Sequence, residues 1–310
     1  MIVCVKKFRV CLQVLTGLSL AIALNAAPAR HVISVEKGLI YGHAGAVELK
    51  MDLARPVEGA GPYPAIVWIH GGGWHMGDRA WGDGYIQMLA ASSYVAVTIS
   101  YRFAPEFKWP AQIEDAKAAV RYLRAHAREL KVDPDHLGVM GESSGGHLAL
   151  MVGLTDAKDG LEGDSGSPGV SSAVQAVVSY CTLTDFTKLE TPDLSLATDA
   201  QKKDYAAKRQ IVIDLAGTED PKSPLWAQLS PVTYADKDDP PVLLFQGSAD
   251  QVVPEVQAHL LDKVLTQVGV PHHLYVAPGG GHVWKGVFRV ETDRQLLAFF
   301  ARYLKSTPSL

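Results

Sequence analysis

Short apolar runs alternate along the chain with longer stretches in which apolar residues recur every three or four positions. Runs that are apolar throughout and bounded by Pro or Gly are typical of strands buried on both faces of a sheet. They predict strands at residues 65–70, 95–101, 137–141, 174–180, 242–246 and 273–276. Apolar stripes with helical spacing predict helices at residues 113–130, 144–154, 254–268 and 293–304.

The first strands follow a different pattern. Residues 34–41 and 46–53 are joined by a short turn that contains Gly42 and Gly45, and Val47 and Leu49 begin an alternating apolar face in the second segment. So short a connection predicts an antiparallel pair. The later alternation of strand and helix predicts an α/β fold with a mostly parallel central sheet and helices on both faces.

Residues 185–239 interrupt this alternation. The segment is polar, uneven and too long for a simple crossover between two strands. Long excursions in a compact domain are usually either functional or mobile. It predicts a small, partly helical cap inserted into the fold.

The N-terminal segment predicts a secretory signal peptide over residues 1–27 and a single domain over residues 28–310. Lys6, Lys7 and Arg9 precede an apolar stretch at 10–24, and Ala26 and Ala27 offer small residues for cleavage. An uncleaved anchor and an ordinary buried helix are the alternatives, but the stretch is short for a transmembrane helix. We therefore expect a secreted or periplasmic protein without stable membrane insertion.

Composition narrows the class of protein. The chain has 310 residues, of which 47% are hydrophobic and 20% charged, which indicates a folded core. Without the predicted signal peptide, 26 of the 29 basic residues remain against 33 acidic ones, and no basic cluster favours nucleic acid as a partner. Cys181 is then the one remaining cysteine, so no intramolecular disulfide is expected. The oligomeric state is left open.

A candidate nucleophile lies where a predicted strand meets a predicted helix. Gly141-Glu142-Ser143-Ser144-Gly145 matches G-x-S-x-G, in which small residues allow a sharp turn that exposes the central hydroxyl. Ser143 is the predicted nucleophile. Ser144 is out of register with the glycines, and its backbone N–H is the more useful group.

A glycine-rich loop, His70-Gly71-Gly72-Gly73-Trp74, follows the predicted strand at 65–70. Its backbone N–H groups, together with that of Ser144, predict an oxyanion hole. No G-K-S/T follows, which argues against a phosphate-binding loop. His70 is interpreted as a structural residue of this loop.

Two later loops supply an acid and a base. Asp250 follows the strand at 242–246, and His282 lies in the glycine-rich loop after the last strand. The order Ser143, Asp250, His282 is the one that α/β-hydrolases use. Glu255 is the nearest rival acid, and Asp250 as a mere loop cap is the alternative. No close-spaced histidine motif is present, so we expect neither a metal site nor a cofactor.

Together these segments resemble the hormone-sensitive-lipase-like branch of the α/β-hydrolases. The resemblance rests on H-G-G-G-W, on Tyr101-Arg102-Phe103-Ala104-Pro105-Glu106 and on G-E-S-S-G-G, and covers about residues 47–300. It is especially close to bacterial secreted carboxylesterases, including feruloyl and acetylxylan esterases. It implies Ser143, Asp250 and His282 as the triad, and Gly72, Gly73 and Ser144 as the oxyanion hole, with Gly71 next in line.

The sequence departs mildly from that branch. Glu142 stands where many relatives carry Asp, Ser144 replaces a common Ala, and no N-terminal helical cap is evident. Trp74 and Trp284, with Trp81 and Trp109 as further candidates, are predicted to line an apolar substrate pocket, and a buried core position is the equal alternative for each of them. We also expect Arg102 and Asp115 to pair.

The resemblance thus implies a serine carboxylesterase that forms an acyl-enzyme on short-chain or aromatic esters, either small molecules or polysaccharide-linked groups. An exopeptidase or amidase with the same triad is an alternative, and so is a non-catalytic binding protein on this fold.

Overall fold

The computed structural model describes residues 31–189, 195 and 198–305. The predicted signal peptide at 1–27 lies outside the described residues and stays a prediction. In the part of the chain that the model describes, no helix has the length and hydropathy needed to cross a membrane.

Within these described residues, eight strands form one sheet. They are β1 (Ile33–Ala44), β2 (Val47–Pro56), β3 (Tyr63–Ile69), β4 (Val95–Ile99), β5 (Val132–Glu142), β6 (Ala176–Tyr180), β7 (Val242–Gly247) and β8 (His272–Ala277). Their order in the sheet is β1-β2-β4-β3-β5-β6-β7-β8. β2 is antiparallel to β1, as the short turn predicts, and it is also antiparallel to β4, which was not predicted. The remaining pairs of neighbours, from β4 to β8, are all parallel.

The helices are α1 (Asp83–Ala91), α2 (Ala111–Ala125), α3 (Ala127–Leu130), α4 (Ser144–Leu154), α5 (Asp199–Ala216), α6 (Leu225–Gln228), α7 (Val256–Val268) and α8 (Val287–Leu304). Side chains of β3 show that both faces of the sheet are covered. Val67 packs in a cluster with residues of α2, α4 and α7, whereas its neighbours Ile66 and Trp68 pack with residues of α1 and α8. Alternate residues of a strand point to opposite faces, so the core has two layers. The predicted α/β-hydrolase fold is confirmed.

Some predicted bounds are wrong. The helix predicted at 113–130 is interrupted at His126, whose ring Nδ1 bonds to the carbonyl oxygen of Tyr122. β5 extends beyond the predicted 137–141 at its N-terminal end, where Val132 pairs with Tyr63. α8 begins six residues before the predicted start. The prediction missed its first two turns because they carry the exposed Val287 and Val290 instead of an apolar stripe. α1 was not predicted, since its buried face spans only two turns.

The segment predicted as an inserted cap runs between β6 and β7. Its main helix, α5, begins at a capping box of Thr198 and Gln201 and ends at Gly217, which adopts φ +72°. The short α6 follows. The carboxyl ends of the parallel strands β3, β5, β6, β7 and β8 meet at one edge of the sheet, where this segment and all the predicted site loops lie.

Candidate active site

Ser143 lies on a sharp turn between β5 and α4. Its backbone has φ +55° and ψ −121°, a strained conformation for a residue with a side chain. The flanking glycines are required: a Cβ on Gly141 would lie 2.2 Å from the carbonyl oxygen of Gly145, and one on Gly145 would lie 2.1 Å from that of Ile69. The Ser143 N–H donates to the Tyr180 carbonyl at 2.8 Å, which ties the turn to β6.

His282 lies within hydrogen-bonding distance of both Ser143 and Asp250. Its Nε2 is 3.0 Å from Ser143 Oγ, and its Nδ1 is 2.8 Å from Asp250 Oδ2. A carboxylate only accepts hydrogen bonds, so Nδ1 carries the proton and Nε2 is left to accept one from the Ser143 hydroxyl. The structure therefore brings together the three predicted triad residues, although Ser143 and His282 are 139 positions apart in the chain.

The side chain of Asp250 is fully buried and accepts several hydrogen bonds. The backbone N–H groups of Val252 and Val253 donate to Oδ1 at 2.7 and 2.9 Å, while Oδ2 accepts from His282. Burial alone would raise the pKa of Asp250, but these hydrogen bonds outweigh it and hold the pKa below the ordinary value of 3.8. Asp250 is thus ionised at neutral pH and fixes the imidazole. Glu255, the rival acid, lies at the start of α7 and bonds to His259 instead.

The predicted oxyanion loop has a backbone that favours glycine. Gly72 adopts φ +117° and Gly73 φ +62°, and a Cβ on Gly72 would lie 2.1 Å from the Met76 carbonyl oxygen. No hydrogen bond within the described part of the chain engages the N–H of Gly72 or Gly73. Ser144 is the first residue of α4, where backbone N–H groups have no intrahelical acceptor. Free donors of this kind suit an oxyanion.

His70 and Tyr101 support this loop from below. The two rings stack with centroids 4.4 Å apart, and the Tyr101 hydroxyl donates to the His70 carbonyl at 3.1 Å. His70 Nδ1 lies 2.7 Å from the Gly71 carbonyl oxygen, to which it donates. Burial lowers the pKa of His70, so the ring is neutral. The predicted structural role of His70 is confirmed.

The prediction that Trp74 lines the substrate pocket is wrong. Trp74 is 4% exposed, because its backbone at φ +61° turns the indole into the core, where it packs against Phe186 and His147. Its Nε1 donates to His147 Nδ1 at 3.3 Å, and His147 Nε2 in turn donates to the Leu229 carbonyl at 2.7 Å. Burial lowers the pKa of His147 to about 4, so this chain of bonds is neutral.

Trp284 likewise has little surface to offer a substrate. It is 7% exposed and packs edge-on against Tyr180 and Phe288, within the layer that joins the sheet to α8. Its Nε1 donates to Cys181 Sγ at 2.9 Å. Two residues after His282, the chain has already returned to the core, which is the physical reason that the predicted pocket role is wrong.

Cys181 is the residue that sequence reasoning missed. It follows β6 directly, has φ +48° and is 2% exposed. Its Sγ, a carboxylate oxygen of Asp250 and a ring nitrogen of His282 all lie within 4.8 Å of one another. Its status as the one cysteine outside the predicted signal peptide was the available signal, but neither periodicity nor spacing places it beside the triad.

Glu142 carries a second carboxylate next to the nucleophile. The Tyr85 hydroxyl donates to it, and the Arg289 guanidinium lies 3.5 Å from the Tyr85 ring centroid. Burial raises the pKa of Glu142, and the Tyr85 hydrogen bond and the charge of Arg289 offset only part of that shift.

The predicted pair of Arg102 and Asp115 is confirmed. Arg102 Nη2 donates to Asp115 Oδ1 at 2.8 Å, and the Arg102 backbone N–H donates to Oδ2 at 2.9 Å. The pair holds the loop after β4 against α2, and this loop carries Tyr101.

Helix α5 covers the oxyanion loop. A Cβ on Gly73 would lie 3.0 Å from Ile211 Cγ2, and His75 Nε2 is 3.3 Å from the Ile211 carbonyl oxygen and 3.6 Å from Asp214. Lys208 reaches the acid loop, where it donates to the Gln251 carbonyl at 2.8 Å. The inserted segment therefore forms part of the wall around Ser143.

Comparisons with known proteins agree with this fold. The BD-FAE family model matches residues 51–265. Esterase LipC of Mycobacterium tuberculosis is 31% identical over 71% of this chain and 53% of its own length. A truncated carbohydrate esterase from gut microbiota is 27% identical, with a TM-score of 0.74 over 89% of this chain and 98% of that one. A bifunctional GH43-CE protein of Bacteroides eggerthii is 31% identical, with a TM-score of 0.71 over 82% of this chain and 33% of that one.

The chain spans about half the length of the curated relatives that it matches. The family model nevertheless covers more than half of this chain, including the oxyanion loop, Ser143 and Asp250. The protein is a member of the BD-FAE family of α/β-hydrolases.

Proposed function

We propose that the protein is a serine carboxylic ester hydrolase that works through an acyl-enzyme. The observation that carries this proposal is the hydrogen-bonded series in which His282 lies 3.0 Å from Ser143 Oγ and 2.8 Å from Asp250. Such a series is what nucleophilic acyl transfer requires, because a serine hydroxyl at neutral pH needs an adjacent base to attack a carbonyl.

In the proposed reaction, His282 Nε2 takes the proton of Ser143 as Oγ attacks the ester carbonyl. Asp250 stabilises the imidazolium, and the N–H groups of Gly72, Gly73 and Ser144 hold the oxyanion. His282 then gives its proton to the leaving alkoxide, which departs as the alcohol. Water, activated by the same imidazole, attacks the acyl-enzyme and releases the acid.

The proposed substrates are short-chain or aromatic esters, among them acyl groups attached to polysaccharides. Membership of the BD-FAE family and likeness to a carbohydrate esterase and to a GH43-CE protein support this class. Residues 1–27 support a secreted or periplasmic location, in which such esters would be met.

Hydrolysis of a p-nitrophenyl ester series from acetate to palmitate, with methyl ferulate, tests the proposal. Ser143→Ala should lower kcat by about 10⁶-fold, because the nucleophile is removed. Ser34→Ala, which alters an exposed serine on β1, is the matched control and should keep the wild-type rate. A fluorophosphonate should label the wild type and not Ser143→Ala.

Two outcomes would contradict the proposal. If the folded wild-type protein hydrolyses p-nitroanilides but no ester, the protein is an amidase that uses the same triad. If it hydrolyses neither and resists the fluorophosphonate, the fold serves binding alone.

A further inference from the structure

Three potential metal ligands, one of which is the base His282, lie close together on three different loops. Cys181 follows β6, Asp250 follows β7 and His282 follows β8, and one ligand atom from each lies within 4.8 Å of the other two. Thiolate, imidazole and carboxylate form a donor set that suits zinc and similar soft divalent ions. We expected no metal site because the sequence has no close-spaced histidine motif. That argument does not apply to these three residues, which are distant in the sequence and are brought together by neighbouring strands of the sheet.

Two hydrogen-bond donors lie beside the sulfur of Cys181. Trp284 Nε1 donates to Cys181 Sγ at 2.9 Å, and a backbone hydrogen bond from Gly247 also favours the charged form. Burial and the hydrogen bond to the Asp250 carboxylate act in the opposite direction, and the pKa of the thiol rises to about 12. The thiol is therefore protonated at rest, but two donors stand ready to stabilise the thiolate once a cation replaces its proton.

We propose that Cys181, Asp250 and His282 form an inhibitory site for a thiophilic divalent cation such as Zn²⁺, which competes with the catalytic arrangement of the triad. The inhibition rests on the proposed hydrolase function, whereas the binding does not.

The geometry needs only small adjustments. Zinc bonds of about 2.3 Å to sulfur and about 2.0–2.1 Å to nitrogen and oxygen place tetrahedral ligands roughly 3.3–3.7 Å apart. The distance of 2.8 Å between His282 Nδ1 and Asp250 Oδ2 must increase slightly. The distances from Cys181 Sγ to the other two ligand atoms, which are at most 4.8 Å, must shorten by about 1 Å or less. The side chain of His282 is 20% exposed and provides the route of entry.

The protons balance as follows. The Cys181 S–H bond breaks, its proton goes to solvent, and the sulfur bonds to the metal. The metal takes Nδ1 of His282, whose proton is replaced by one on Nε2, so the imidazole stays neutral. Nε2 is the atom that must accept the Ser143 proton, so the metal-bound tautomer cannot act as the base. One proton is released for each metal bound.

The test uses the full chain and measures ester hydrolysis against Zn²⁺ concentration for the wild type and Cys181→Ser, each relative to its own uninhibited rate. The half-inhibitory Zn²⁺ concentration should rise roughly tenfold or more in the variant, since even outer partners of a metal ligand change affinity by about 10–100-fold. Mg²⁺ at the same concentrations should not inhibit, because thiolate and imidazole are poor ligands for it.

Binding is measured separately by the ultraviolet absorption of a cadmium–thiolate bond. Cd²⁺ should produce this band in the wild type and in a Cys4→Ser/Cys11→Ser control, and the band should be lost in Cys181→Ser. This readout holds even if the Cys181 variant is inactive.

Equal zinc sensitivity of wild type and Cys181→Ser would overturn the proposal, as would a cadmium band that depends on Cys4 and Cys11. If the wild type hydrolyses no ester, the proposed function fails, and the cadmium band still decides whether the site exists.

Discussion

The two halves of the site around Ser143 differ in the groups that form them. The oxyanion half, which comprises residues 70–74, Tyr101 and the start of α4, is made of backbone in strained conformations and of neutral rings. The acid–base half, which comprises Cys181, Asp250 and His282, is made of side chains whose protonation states matter. His70 and His147 are neutral through burial, whereas Asp250 is held ionised by hydrogen bonds from His282 and from the backbone N–H groups of Val252 and Val253.

This contrast predicts different kinds of failure. A change in the oxyanion half acts through shape, because the donors are peptide groups whose positions depend on φ and ψ. A change in the acid–base half acts through charge and tautomer, and little through shape. Substitutions that alter only one of these properties therefore distinguish the two halves.

The largest expected effect is on the acid–base half. Asp250→Asn preserves size but replaces a carboxylate with an amide, which allows the wrong His282 tautomer, and kcat should fall by about 10⁴-fold. Folding should be retained, as near- and far-ultraviolet circular dichroism will show. Glu255→Gln is the matched control, and a loss of similar size in that variant would mean that Asp250 is not the acid.

A smaller loss is expected from shape alone in the oxyanion half. Gly72→Ala would place a methyl group 2.1 Å from the Met76 carbonyl at φ +117°, so the N–H donors must move. We expect kcat to fall about 10²–10³-fold, the effect of losing one oxyanion donor, together with a lower melting temperature.

Gly281→Ala is the control for this substitution in the other half. Gly281 directly precedes His282, yet a Cβ there would meet nothing within 4 Å, and its φ lies outside the left-handed region. Its kcat should stay near the wild-type value. If both alanine variants lose activity equally, the two halves do not differ in their tolerance of added volume.

The smallest effect concerns the second carboxylate. Because burial raises the pKa of Glu142 in the folded protein, the ionised form is less favourable there than in the unfolded chain, and it destabilises the fold above that pKa. Glu142→Gln should therefore raise the melting temperature at neutral pH.

The gain should shrink as the pH falls through the folded pKa, because wild-type Glu142 then takes up a proton and no longer carries the unfavourable charge. Asp250 has the opposite sign: its lowered pKa gives stability above about pH 3.8, the ordinary value, that is lost at lower pH. A melting-temperature gain of Glu142→Gln that grows toward acid pH would reverse the assignment.

The sequence predicted the oxyanion half well, except for Trp74, because its features are local. The backbone conformation at Gly72, Ser143 and Gly145 depends on residues close to them in the sequence. The motifs H-G-G-G-W and G-E-S-S-G-G therefore predict that conformation directly. The triad could be predicted because Ser143, Asp250 and His282 each follow a recognisable strand, and parallel strands deliver their carboxyl ends to one edge.

The remaining features depend on side-chain packing between distant segments. Trp74 and Trp284 are aromatic residues beside site motifs, and only the direction of their side chains shows that they face the core. Cys181 approaches Asp250 because β6 and β7 are neighbours in the sheet, and Ile211 approaches Gly73 because α5 folds back over the loop after β3. Neither approach follows from residue type or spacing.

The strand order has a consequence for the timing of synthesis. A ribosome completes the oxyanion loop and Ser143 in the first half of the chain, but β7 and β8, which carry the acid and the base, are among the last segments to emerge. Folding that proceeds from the N-terminus during synthesis therefore yields a nucleophile without a base until nearly all of the chain has been made. Under the proposed mechanism, a nascent chain or a C-terminally shortened product that lacks residue 282 does not react with esters. Reactivity toward an ester therefore reports that the whole sheet has formed.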